Sequence, residues 1–348
     1  AGAGGAGLDV DEVFSTYLYD GNGDGSAATN VQTINNGIDL SGEGGMVWIK
    51  GRSHTTDHII NDTVRGAGNA LQPNNTDANQ TGYYDISQFN SNGFGLDAGG
   101  NVNANGYEYV SWTFRKAPKF FDVVTYTGDG TNGRSVSHNL GTTVGMIILK
   151  RTDAAGDDWQ VFHRYATNKR LELNNTDAAA ATTLWGSGPT STNFTVDNAS
   201  FSNASGASYV AYLFAHNNND GDFGPDSDQD VIKCGSFTGT SSGEVSVNLG
   251  FEPQFIIYKL ANNTNSGDND NWRMHDVMRG WDVNNRQLLN PNQSAAESNL
   301  SNTGGYEIKP TATGFIHEGH AGSSGSDYIY MAIRRGPLAE PTSATDVF

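Results

Sequence analysis

Met46-Val47-Trp48-Ile49-Lys50 is a short apolar run that closes on a lysine. It returns as Met146-Ile147-Ile148-Leu149-Lys150 and again as Phe255-Ile256-Ile257-Tyr258-Lys259. The first two copies lie 100 residues apart, and other landmarks keep that offset. Leu71 and Asn74-Asn75-Thr76-Asp77-Ala78 recur as Leu171 and Asn174-Asn175-Thr176-Asp177-Ala178. Tyr109-Val110-Ser111-Trp112-Thr113-Phe114 recurs as Tyr209-Val210-Ala211-Tyr212-Leu213-Phe214, and a third, longer copy ends in Tyr328-Ile329-Tyr330-Met331-Ala332-Ile333. Self-similarity at about the length of an ordinary domain indicates a copied folding unit.

Between these landmarks lie short runs of β-branched and aromatic residues, separated by Gly, Asn and Asp, the residues that tight turns favour. The closing run alternates, with Val110, Trp112 and Phe114 on one face and Tyr109, Ser111, Thr113 and Arg115 on the other. Its apolar face is expected to enter a core. The fold expected is all-β: three tandem, related β-sandwich units of jelly-roll or lectin-like type, packed end to end. The boundaries read as an N-terminal linker 1–12, repeats 13–118, 119–229 and 230–337, and a tail 338–348. Asp177 to Leu184 is alanine-rich and is expected to form one or two helical turns.

The net charge of −18 repels phosphate backbones and anionic lipid head groups, which argues against nucleic acid and membrane surfaces as partners. No run of 18 apolar residues occurs, so no membrane span is expected. The single cysteine, Cys234, cannot form an internal disulfide, and its neighbours Val231-Ile232-Lys233 suit a buried thiol.

Longer phrases carry a family resemblance. Phe14-Ser15-Thr16-Tyr17-Leu18-Tyr19, the stretch from Gly37 to Lys50, and Asp62-Thr63-Val64-Arg65-Gly66 resemble a repeated domain common in marine phage structural proteins. Ser111 to Gly128 and Tyr328 to Arg335 fit the same family, so the resemblance runs from about residue 12 to 336. It implies a virion structural protein exposed on the particle surface, as capsid decoration or tail fibre. It implies other virion proteins as partners, a homo-oligomer or symmetric assembly, and kinship with concanavalin-like lectin sandwiches that bind host-surface glycans. A secreted or cell-surface carbohydrate-binding adhesin is the alternative, with a glycan hydrolase a remote third.

A glycan site needs an exposed aromatic ring with Asn or Asp nearby. Trp185 and Trp281, in loop-like surroundings, are the candidates. Asp20, Asn22 and Asp24 place oxygen ligands at alternate positions, as in the first half of a calcium loop. Position twelve is Val31 instead of Glu, so an EF-hand is excluded and only a looser Ca2+ site or an ordinary turn remains. Asp220, Asp222, Asp226 and Asp228 crowd the second junction, as a calcium clamp or a solvated acidic linker. His317-Glu318-Gly319-His320 has metal-ligand types but not the helix of an HExxH zinc site. His163 and His275 read as matching positions, with Asn61 in the first copy, which suggests a structural hydrogen bond. No phosphate loop is present, and no catalytic residue is assigned.

Overall fold

The computed structural model describes residues 7–25, 31–81, 85–241, 244–262, 271–282, 286–299, 308–318 and 324–338. The first segment holds β1 (Phe14–Asp20), β2 (Gln32–Asn35), β3 (Gly45–Gly51), β4 (Ile59–Asp62), β5 (Asn69–Ala70), β6 (Gln80–Thr81), β7 (Ile86–Asn90), β8 (Gly93–Leu96) and β9 (Glu108–Arg115). The second holds β10 (Phe121–Thr127), β11 (Arg134–Ser137), β12 (Val144–Arg151), β13 (Gln160–His163), β14 (Lys169–Glu172), β15 (Ala180–Ala181), β16 (Asn193–Val196) and β17 (Ser208–Ala215). The third holds β18 (Ile232–Thr238), β19 (Glu244–Asn248), β20 (Pro253–Leu260), β21 (Arg273–Asp276), β22 (Gln287–Leu288), β23 (Ser298–Asn299), β24 (Ile308–Thr311), β25 (Gly314–Glu318) and β26 (Asp327–Arg334). The protein is all-β, with antiparallel sheets. The alanine-rich stretch expected to be helical contributes the strand β15, which pairs with β14.

One strand order recurs in all three segments: β1-β9-β3-β4, β10-β17-β12-β13 and β18-β26-β20-β21. A second, smaller sheet accompanies each: β2-β8-β7, β11-β16 and β19-β25-β24. The register is shared as well, since Trp48 pairs with Trp112, Ile148 with Tyr212 and Ile257 with Met331.

The marker strands are buried on both faces, which is why they read as continuous apolar runs instead of alternating ones. Val47 and Ile49 face the core shared with the first segment's smaller sheet, where Ile34, Ile86, Phe94 and Leu96 meet them. Met46 and Trp48 face the other way, into a core that draws on all three segments. Val110, Val210 and Ile329 lie in that common core. Phe114 sits near its middle, its ring 5.4 Å from Phe214 and 6.1 Å from Phe255. Tyr109, Ser111 and Thr113, on the opposite face of β9, are buried too.

The segments close on one another instead of following end to end. Asn79 N–H donates to Thr152 O at 2.9 Å, Ala179 N–H to Ala261 O at 2.8 Å, and Glu297 N–H to Arg52 O at 2.8 Å. These three bonds join first to second, second to third, and third back to first. The lysine that ends each marker strand repeats the cycle. Lys150 Nζ donates to Thr76 O (3.0 Å), Lys259 Nζ to Thr176 O (2.9 Å) and Lys50 Nζ to Ser294 O (3.3 Å). All three lysines are buried. Each lysine thus ties its own strand to a loop carbonyl of the neighbouring segment.

Residues 7–12, expected within a flexible linker, are anchored. Asp9 caps the 3-10 turn Val10–Glu12, and its Oδ2 accepts the Leu338 N–H at 2.8 Å. The ends of the described chain therefore meet.

The buried lysines give a pH dependence. Burial lowers Lys50 and Lys150 from 10.5 to about 8, against the opposing pull of nearby carboxylates. Between those values the unfolded chain binds a proton that the folded chain does not, so stability rises with pH. Burial raises Tyr109 from 10.0 to about 12, so above pH 10 the unfolded chain releases its phenol proton first and stability falls again. Urea midpoints are therefore expected to climb from pH 8 to a maximum near pH 10. A monotonic fall from pH 7 would contradict the burial of these ammonium groups.

Candidate functional site

The sequence-derived candidates do not assemble into sites. Trp185 and Trp281 are each 2% exposed, so neither offers a ring face to a sugar. Trp185 packs edge-on to Phe162 at 5.7 Å. Trp281 donates its indole N–H to Ile308 O at 2.9 Å and stacks on His275. Loop-like sequence around a tryptophan marks an irregular backbone but says nothing of which way the ring points.

The Asp20–Asp24 loop is held by side-chain amides. Asn103 Nδ2 donates to Asn22 Oδ1 (3.1 Å) while Asn22 N–H donates to Asn103 Oδ1 (2.9 Å). Asn203 clasps Asp129 in the same way in the second segment. Asn22 thus has an amide donor where a calcium ion would need its oxygen.

The junction carboxylates are spread among separate partners. Asp220 accepts from Thr142 Oγ1 and Asn218 N–H, each at 2.7 Å. Asp222 pairs with Lys119 at 2.8 Å, and Asp226 and Asp228 are exposed. Among the described residues no group of three or more His, Cys, Asp or Glu side chains is placed to hold a metal ion. His317 is buried and in ring contact with Phe237 and Tyr328, while Gly319 and His320 lie outside the described residues.

The strand pairing corrects the reading of the histidines. Asn61, Phe162 and His275 are the matched positions, pairing with Val47, Ile147 and Ile256. His163 matches Asp62 and Asp276, which pair with Met46 and Phe255. That position lies at the seam between segments, and its residue follows what the neighbouring segment offers.

At the first seam, Asp62 accepts the Tyr212 hydroxyl at 2.8 Å and pairs with Arg65 at 2.6 Å. At the third, Asp276 accepts the Trp112 indole N–H at 3.0 Å and pairs with Arg279 at 2.5 Å. At the second, the neighbour presents Met331, which donates nothing, and histidine replaces the carboxylate. His163 Nδ1 accepts the Tyr165 N–H, so the proton sits on Nε2, which donates to Tyr330 O at 3.0 Å. Burial lowers this imidazole to about 4, so it works as a neutral donor.

Losing the carboxylate at the second seam removes the need for its arginine. Three residues beyond the matched positions stand Arg65, Ala166 and Arg279. Arg65 reaches Asn79 Oδ1 at 2.6 Å, and Arg279 reaches Glu297 Oε1 at 2.9 Å. The residue matching Asn79 and Glu297 in the second segment is Ala179, by the backbone bonds between segments. Two truncations thus meet at one seam, and a cleft of about 380 Å³ opens there, lined by both alanines.

The cleft wall carries the chemistry. Tyr165 is 55% exposed, with the Arg164 guanidinium 5.1 Å from its ring centroid. Val64 and Met278, two residues beyond Asp62 and Asp276, are also exposed, but only Tyr165 is aromatic. In the same cleft, the Asp327 carboxylate accepts from Thr238 Oγ1 at 2.8 Å and from Asn262 Nδ2 at 2.7 Å. Thr167, Lys169 and Ser236, all exposed, complete the polar lining. Sequence reading missed this site because its signal is two alanines, which stand out only once the segments are aligned by strand register.

Asp85, like Asp97, Asp122 and Asp230, is a buried acid outside the seams. Burial raises it to about 7 despite the Asn61 amide at 3.3 Å, but the residue is 0% exposed and no substrate reaches it.

A family model described as a domain of unknown function (DUF7483) matches residues 9–337. No curated protein and no solved structure matches the chain.

Proposed function

This chain belongs to the DUF7483 family, a domain of unknown function, and from that premise we propose that it is a non-enzymatic structural protein on the surface of a bacteriophage particle. Three tandem β-sandwich units, closed into a ring, form its body. The cleft between the second and third units engages host-surface glycans. The observation that carries the binding reading is the cleft itself, which an exposed aromatic lines together with an anchored carboxylate and an amide. That is the pairing of apolar face and few polar groups that small-molecule sites use. The virion setting is supported by the sequence resemblance, which spans nearly the same residues as the family match. The strongly negative surface suits a carrier that must stay soluble and avoid nucleic acid.

A glycan array with the purified protein tests the binding reading. Wild-type protein is expected to bind a subset of host polysaccharides. Tyr165→Ala is expected to weaken that binding roughly tenfold, the equivalent of about 1.4 kcal/mol of ring contact, with unchanged melting. Absence of any binding, or binding indifferent to Tyr165, would remove the adhesive role. Micrographs of intact particles labelled for this chain would separate capsid decoration from tail fibre.

A further inference from the structure

We propose that the cleft at the second seam takes an uncharged sugar ring, held by adjacent hydroxyls on Asp327 and by its apolar face on Tyr165. This names the ligand class for the site assigned above and rests on that reading.

The polar side of the cleft selects for donors. An ionised carboxylate is an acceptor only, with about four lone-pair sites. Thr238 and Asn262 occupy one site on each Asp327 oxygen and fix its plane, and Asn262 Oδ1 also accepts the Asp327 N–H at 2.8 Å. The remaining sites leave one free acceptor position on each oxygen, side by side. Two neighbouring hydroxyls match that spacing, and charge-assisted hydrogen bonds of this kind are stronger than neutral ones. A carboxylate or sulfate on the ligand would instead meet like charge. Lys169 is the one cation among the residues lining the cleft. It is exposed on the edge of β14, so it is screened by water and salt. Beyond the cleft, the net charge of −18 works against acidic polysaccharides.

The apolar side sets shape. The Arg164 guanidinium braces the Tyr165 ring, and more than half of the residue remains open to solvent. A pyranose presents its C–H face to such a ring and its hydroxyls to the carboxylate. The volume of about 380 Å³ lies at the small end for ligand pockets, enough for one sugar ring and part of the next.

The other two seams suggest how to close the site. Arg65 and Arg279 occupy the matching position there, so Ala166→Arg puts a long side chain into the cleft that the alanine leaves open. Asp327→Asn keeps the size of the side chain and removes its charge.

The test uses an array of neutral, amino-bearing and acidic oligosaccharides, read with the wild-type protein and both variants, at low and high salt. The expected result is binding to neutral glycans that changes less than twofold with salt. That binding falls at least tenfold in Asp327→Asn, which melts as wild type, and is lost in Ala166→Arg. If Ala166→Arg fails to fold, Asp327→Asn alone decides. Binding confined to acidic glycans, or neutral binding unaffected by Asp327→Asn, overturns this inference and leaves the adhesive reading standing. Binding to no glycan at all overturns both.

Discussion

Arg279→Ala should destabilise the whole protein by about 3–5 kcal/mol, the range for removing one member of a buried ion pair. The Arg279 and Asp276 side chains are both fully buried. Arg279 Nε meets Asp276 Oδ2, its Nη1 meets Glu297 Oε1 at 2.9 Å, and its Nη2 donates to Met274 O at 3.0 Å. The guanidinium also lies over the Trp112 ring, 5.3 Å from its centroid. Truncation leaves the Asp276 carboxylate uncompensated in the interior, held by the Trp112 and Arg279 N–H groups, while Glu297 keeps Arg52. The loss should shrink when the partner is removed as well, because the uncompensated charge goes with it. The Asp276→Ala/Arg279→Ala double variant should therefore cost about 2 kcal/mol less than the sum of the single variants. The exposed Arg335–Glu252 pair is the control, and Arg335→Ala should cost about 1 kcal/mol or less. Urea unfolding measures all four. A cost below that of the control for Arg279→Ala would mean that the third seam is not closed.

Phe114→Ala should cost a comparable amount, about 3–5 kcal/mol, through the cavity it leaves. Its ring touches Phe14 and Phe121 as well as Phe214 and Phe255, so side chains from all three segments lose contact at once. The form of the transition is as informative as its midpoint. A common core ties the segments into one cooperative unit, so a single transition should move to lower denaturant with its slope unchanged. Independent units would give a separate, shifted first-segment transition beside two unshifted ones.

Much of the fold was legible because strands carry their environment in their pattern. The short strand-forming runs between turn residues gave the all-β class before any coordinates. The arrangement of the copies was not legible. Tyr109, Ser111 and Thr113 look like the solvent face of a strand, yet they are buried, because the opposite face is buried against other segments instead of a partner sheet. The terminal lysine of the marker strand was visible three times, but its partner is a turn carbonyl in another copy, and no local pattern encodes that distance. The histidines were matched by likeness of type, which placed His163 beside His275; strand register places it beside Asp62 and Asp276. Trp185 and Trp281 were judged by the company they keep in sequence, and burial is decided by what packs from elsewhere. The cleft was hidden for the same reason, since Ala166 and Ala179 mean something only opposite Arg65–Asn79 and Arg279–Glu297.

Spin labels at residues 64, 165 and 278, introduced as cysteines two at a time, give the three distances that decide between a ring and a row. Val64, Tyr165 and Met278 occupy matched turn positions and are 44%, 55% and 54% exposed, so all three accept a label. Cys234 is buried, and burial holds its thiol protonated, so it does not compete. A closed ring predicts three pairwise distances that agree to within a few ångström. A row, in which each unit touches only its neighbours, predicts a 64–278 distance about twice the other two, and that result would contradict the closure of the third segment onto the first.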